Sequence, residues 1–227
     1  MTRLHVREWG AGERVAVLLH GITSSSATWW KVGPAIAARG YRVLAPDLRG
    51  HGESGRGTYS VSAWAEDVLE TVPRSPELAL GFSLGGLVLA AAVERLAPRR
   101  AVYEDPAWFL SGDRTLAAER FLARKNWTLE DIRTLYPRWE PESYAASLRS
   151  IALWDTETVR LEADFTEPGR PRVPSLVITA DPSELIPPSR AAELRALGFE
   201  VRAVPNTGHV VHNDDFAGFW AGLEDWL

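Results

Sequence analysis

The chain of 227 residues has no cysteine. That absence excludes disulfides, thiolate metal sites and a cysteine nucleophile together. Long apolar runs are missing too. The first such run, residues 15–19, is far too short to cross a bilayer, and the polar, mixed residues 1–10 do not resemble a signal peptide. A soluble cytoplasmic protein with no membrane partner is expected. Positive charge is scarce: 25 Lys and Arg stand against 30 Asp and Glu, a formal net charge of −5. With no basic stripe, no nucleic-acid partner is expected. There is no His-Glu-x-x-His, no carboxylate cluster at metal spacing and no Gly-x-Gly-x-x-Gly after a strand. The Gly55–Arg56–Gly57 run lacks the lysine of a phosphate loop. Neither a metal nor a cofactor is implied.

What is present is an ordinary globular composition, 45% hydrophobic and 24% charged, enough for one core domain carrying one insertion. Short β-branched runs alternate with longer helical patterns. Strands are expected at residues 4–9, 15–19, 41–45, 78–80, 101–103, 176–179 and 199–204. Helices are expected at 27–38, 61–72, 84–96, 189–197 and 216–227. The second of these helices carries Val61, Trp64, Ala65, Val68, Leu69 and Val72 on one face. Between residues 107 and 172 the texture changes to helical stretches without a good strand, rich in arginine and tryptophan. The expected class is α/β: a mostly parallel sheet flanked by helices, with a helical insertion. Residues 1–106 and 173–227 would form the core domain, and 107–172 the insertion.

Gly81–Phe82–Ser83–Leu84–Gly85 fits Gly-x-Ser-x-Gly, with a buried strand directly before it and an Ala-rich helix directly after. So sharp a turn forces its central residue into a strained backbone and needs small neighbours, which Gly81, Gly85 and Gly86 supply. Ser83 is then presented at the carboxyl end of the sheet, above the positive end of a helix. A glycine-rich turn with an incidental serine is the plainer alternative.

At this point the chain resembles the α/β-hydrolase family over nearly its whole length. His20–Gly21–Ile22 matches that family's His-Gly oxyanion loop, and Asp47–Leu48–Arg49–Gly50–His51–Gly52–Glu53–Ser54 its Asp-x-Arg-Gly-x-Gly-x-Ser turn. Asn206–Thr207–Gly208–His209, after the last strand, matches its Gly-His motif. The resemblance implies a Ser83 nucleophile, His209 as its base, and the backbone N–H groups of Leu84 and Ile22 as oxyanion donors. His212 is the rival base, with a structural role preferred. By the same resemblance His20, Asp47, Arg49, His51 and Ser54 brace loops.

The acid departs from the pattern. Relatives place an aspartate in a Gly-x-x-Asp loop, and here Ala180–Asp181–Pro182–Ser183 puts Ser183 in that slot. Asp181 is one substitute. The other is Glu104 of Glu104–Asp105–Pro106, which lies where lactone hydrolases of the zearalenone-degrading type carry Glu-x-Pro. Glu104 is preferred over Asp181; capping and turn roles for these acids stay open.

The insertion occupies the family's lid position. Its tryptophans, Trp108 first among them, suit an acyl or aromatic substrate pocket, with core packing as the alternative. Arg114, Arg120, Arg124 and Lys125 suggest a wet outer surface. The reading is a serine hydrolase cleaving a small-molecule ester or lactone, its oligomeric state open. A carbon–carbon hydrolase, a cofactor-free perhydrolase and a slow receptor-like protein are the alternatives on the same residues.

Overall fold

The computed structural model describes residues 4–109, 114–160, 164 and 167–227. Parts of the expected insertion, residues 110–113, 161–163 and 165–166, lie outside the described residues. Seven described strands form one sheet: β1 (Val6–Trp9), β2 (Arg14–Leu19), β3 (Tyr41–Pro46), β4 (Leu78–Phe82), β5 (Arg100–Glu104), β6 (Ser175–Asp181) and β7 (Glu200–Pro205). Their spatial order is β1-β3-β2-β4-β5-β6-β7. Edge strand β1 pairs antiparallel with β3 and the remaining pairs are parallel.

Side chains alternate along each strand and divide the core into two layers. Val17, Leu19, Ala101, Tyr103 and Val177 face one layer, against α2 (Val61–Thr71), α3 (Leu84–Leu96) and α7 (Pro188–Leu197). Ala16, Leu18, Val102, Leu176 and Ile178 face the other, against α1 (Val32–Ala37) and α9 (Phe216–Leu223). Burial on both faces is why these strands read as near-continuous apolar runs. Trp29 and Trp64 are fully buried, while Trp220 and Trp226 are partly buried against the second layer.

The helix expected at 27–38 divides into a 3-10 turn, Ser26–Trp29, followed by α1. Pro34 explains the break: it has no N–H for the Trp30 carbonyl, and its ring crowds that carbonyl. Ser25 caps the turn by accepting from Ala27 N–H at 3.3 Å.

Between β5 and β6 the described residues contain helices and 3-10 turns but no strand. The helices are α4 (Arg114–Ala123), α5 (Leu129–Leu135) and α6 (Pro141–Leu153). Thr128 and Asp131 form a reciprocal cap that starts α5. Helix α6 lies on the Ser26–Trp29 turn, with Ser150 Oγ 2.6 Å from Ser25 Oγ and Trp30 Nε1 donating to Ser143 Oγ at 3.1 Å. No described helix is long and apolar enough to cross a membrane.

Trp108, expected in a substrate pocket or in core packing, is found packed in the core. It is 1% exposed and packs on Tyr103 and Phe199, with ring centroids 4.6 and 5.4 Å away. Its indole N–H points to the Gly86 carbonyl at 3.4 Å. So little free surface is what core packing under α3 gives.

Candidate active site

Strand β4 runs directly into α3 through Ser83, whose φ of 52° and ψ of −113° place it in a strained region for a residue with a side chain. The glycines around it are obligatory. A Cβ on Gly81 would lie 2.4 Å from the Gly85 carbonyl oxygen, and one on Gly85 only 2.1 Å from that of Leu19. The turn is held from outside as well, because Ser83 N–H donates to the Glu104 carbonyl at 3.0 Å.

The loop after β7 brings His209 to this turn, with Nε2 2.9 Å from Ser83 Oγ. Its other nitrogen, Nδ1, lies 2.7 Å from Asp105 Oδ2. A carboxylate only accepts hydrogen bonds, so Nδ1 carries the proton and Nε2 is left to accept from the serine hydroxyl. Asp105 is itself 1% exposed and its second oxygen accepts from Ser183 Oγ at 2.7 Å. Ser183 Oγ in turn accepts from Ile186 N–H at 2.8 Å. Ser183, in the slot where the resemblance implies an aspartate, therefore braces the Asp105 carboxylate.

Neither acid expected from the sequence touches His209. Glu104 is fully buried and both its oxygens lie 2.8 Å from His212 Nδ1. Asp181 ends β6 with an exposed side chain, while its carbonyl accepts from Asn206 N–H at 2.9 Å. The reason is strand alternation. Glu104 falls on the same face as Val102, in the layer under α9, whereas Asp105 follows the strand with φ at 36° and turns its carboxylate the other way. Alternation along residues 101–103 is the sequence signal that turns Glu104 away from this site; the positive φ at Asp105 then sets where its carboxylate goes. His212 takes the structural place preferred for it: buried, with Nε2 2.9 Å from Thr28 Oγ1.

The His-Gly loop lies against the turn. A Cβ on Gly21 would come 3.2 Å from Ser83 Cβ and 2.7 Å from Phe82 Cε1. His20 fixes this loop, with Nδ1 2.8 Å from the Gly21 carbonyl and Nε2 accepting from Leu48 N–H at 2.9 Å. Burial lowers its pKa, with Asp47 working the other way, and the bonding pattern is that of a neutral imidazole. Asp47 ties the next turn down by accepting from Ser26 N–H at 2.6 Å and Glu53 N–H at 3.0 Å. Arg49 grips buried Asp67 through two bonds of 2.7 and 2.6 Å. Ser54 Oγ donates to the Asp47 carbonyl at 2.6 Å. Among the described residues, the N–H groups of Ile22 and Leu84 have no protein acceptor. Also among them, no group of three His, Asp or Glu side chains is arranged to hold a metal ion.

The segment between β5 and β6 is tied down at the loops bearing Ile22 and His209. Arg124 Nη1 donates to Thr23 Oγ1 at 3.3 Å, next to Ile22. Trp139 Nε1 donates to Asp214 Oδ1 at 2.7 Å, and Arg138 bonds the Asn206 carbonyl on the loop that carries His209.

Comparison with known proteins agrees with this architecture. The chain is 27% identical over 249 residues to an N-formylmaleamate deformylase of Pseudomonas putida, covering 99% of this chain and 92% of that protein. The solved structure of an N-formylmaleamic acid deformylase from Pseudomonas putida S16 superposes with a TM-score of 0.80 at 21% identity, covering 98% of this chain and 96% of that one. An enol-lactonase from Burkholderia xenovorans LB400 gives 0.73 at 23% identity, covering 99% and 96%. The sequence profile described as "Alpha/beta hydrolase family" matches residues 16–221. The chain belongs to the alpha/beta hydrolase family and is an enzyme of that type.

Proposed function

We propose that the protein hydrolyses a carboxylic ester or lactone through an acyl-enzyme on Ser83. The observation that carries this reading is the unbroken relay from Ser83 Oγ through His209 to Asp105, with links of 2.9 and 2.7 Å. Ser83 Oγ bonds to the substrate carbonyl carbon as its proton passes to His209 Nε2. The carbonyl oxygen becomes an oxyanion and accepts from the N–H groups of Leu84 and Ile22. Its collapse breaks the bond to the leaving oxygen, which takes the proton from His209 and departs as an alcohol, or stays tethered if the substrate is a lactone. Water then repeats the sequence on the acyl-enzyme, giving its proton to His209 and restoring Ser83. Asp105 holds the imidazole in the required tautomer and offsets its positive charge while it is protonated. The names of the relatives, a deformylase and an enol-lactonase among them, describe hydrolytic chemistry compatible with this machinery.

The segment of residues 107–172 serves in this reading as a lid. Its ties to Thr23 on one side and to Asn206 and Asp214 on the other support that role. A fluorophosphonate probe should label Ser83, and Ser83→Ala and His209→Ala should abolish hydrolysis of 4-nitrophenyl butyrate. Asp105→Asn should lower turnover by about 10⁴-fold, the loss typical of a triad that loses its carboxylate. Full activity in Ser83→Ala would overturn the assignment.

A further inference from the structure

Arg124 opens the 3-10 turn Arg124–Asn126 between α4 and α5. Its side chain is half-buried, with Cζ 4.9 Å from the centroid of Trp127 and 5.0 Å from that of Phe121. A guanidinium carries five N–H donors and keeps its charge at any ordinary pH. The Thr23 hydroxyl takes one of these donors, at 3.3 Å. Among the described residues no carboxylate lies within ion-pair distance of it. Arg49, Arg149 and Arg202, by contrast, each hold a carboxylate partner. Burial pulls the Arg124 pKa below the ordinary guanidinium value, opposed only by the Tyr136 phenol. A cation held against two aromatic rings, with most of its donors unpaired among the described residues, is poorly compensated until an anion arrives.

Its location gives that anion a purpose. Thr23 directly follows Ile22, one peptide unit or about 3.8 Å further along the chain. Gly21, on the other side of Ile22, lies against Ser83. Arg124, with donors that have no partner among the described residues, is therefore tied to the His-Gly loop that carries the proposed oxyanion donor. We propose that Arg124 receives a carboxylate carried by the substrate, so that the preferred substrates are esters or lactones whose acyl portion bears a second, ionised carboxyl group a few carbons from the scissile carbonyl. This inference rests on the Ser83 reading and adds the substrate class to it. The planar fork of arginine suits two-point recognition of a carboxylate, and the Trp127 and Phe121 rings hold that fork in place.

Monomethyl glutarate and methyl valerate are matched in chain length and differ in one carboxylate, which makes them the test pair. The wild-type enzyme should show the higher kcat/KM on the half-ester. In Arg124→Gln the ratio of the two kcat/KM values should fall about 10- to 100-fold, the range expected for a hydrogen-bonded charge pair, with most of the loss in KM. Arg124→Lys should recover part of it, because it keeps the charge and loses the fork. Glutarate itself supplies a readout that needs no turnover: it should raise the melting temperature of Ser83→Ala but not that of Ser83→Ala combined with Arg124→Gln. Equal losses on both esters, or a wild type that hydrolyses methyl valerate but neither prefers the half-ester nor binds glutarate, would overturn the Arg124 assignment and leave the hydrolase reading standing. If neither ester is cleaved while glutarate binding still depends on Arg124, the anion site holds and the ester-hydrolase reading fails.

Discussion

Glu104 and His212 form a buried pair directly behind the reaction centre, joined through His212 Nδ1 at 2.8 Å and His212 N–H at 2.9 Å. The same glutamate accepts the Ser83 N–H on its backbone carbonyl at 3.0 Å. One residue therefore ties the serine turn to the loop that carries His209, without touching the His209 ring. Phe82 fills the space between the two imidazoles, with its ring 4.9 Å from His209 and 5.4 Å from His212.

This arrangement separates the two neighbouring acids by experiment. Glu104→Gln keeps the side-chain volume and one acceptor for His212, so turnover should stay within about tenfold of wild type while stability falls by about 1–3 kcal/mol. Asp105→Asn should do the reverse, losing about 10⁴-fold in turnover with a smaller change in denaturation midpoint. Paired urea melts and kcat measurements on the two variants decide it. Equal inactivation of both would mean that Glu104 does more than hold the loop.

The local features of the site were legible in the sequence because local sterics impose them. Ser83 needs glycine neighbours wherever it occurs, and the Gly-His pair after the last strand marks itself. The strands and the helices flanking their sheet followed from apolar runs of the right length alternating with helical patterns. The acid was harder to read because two carboxylates stand side by side at Glu104 and Asp105, and the choice depends on how the chain leaves β5. Resemblance to a Glu-x-Pro pattern favoured Glu104, whose side chain pairs with His212, whereas the carboxylate beside His209 is that of Asp105, which leaves the strand with φ at 36°. Arg124 was not legible beyond a surface charge. Its partner Thr23 is 101 positions away, and only the folded chain brings them together.

His51 makes stability depend on pH in a definite direction. It is fully buried, Nδ1 lies 3.1 Å from the Arg49 carbonyl, and Nε2 has no partner among the described residues. Burial first, and nearby His20 second, lower its pKa from 6.5 to about 3. The unfolded chain therefore binds a proton in this range that the folded protein refuses. Its stabilising contribution is complete above about pH 6.5 and is lost as pH falls toward 3, at about 1.4 kcal/mol per pH unit for one proton. His51→Phe should flatten the acid limb of stability against pH by that one-proton slope. Urea melts between pH 7 and pH 4 measure it, and an unchanged slope would show that His51 is protonated in the folded state.

Gly21 tests the coupling between the His-Gly loop and the nucleophile. An added Cβ would meet the Phe82 ring at 2.7 and 2.9 Å. That ring cannot retreat, since it is only 5% exposed and is packed between His209 and His212. The loop must move instead, taking the Ile22 N–H away from the carbonyl it is proposed to serve. Gly21→Ala should therefore lose about 10²- to 10³-fold in turnover, as when one oxyanion donor is removed, and about 1–3 kcal/mol of stability from overpacking. Fluorophosphonate labelling of Ser83 should slow in parallel, because the phosphonyl oxygen uses the same donors. Gly169→Ala is the matched control, since nothing among the described residues lies within 4 Å of the Cβ it would add. If Gly21→Ala turned over substrate like that control, the Ile22 amide would have no part in holding the oxyanion.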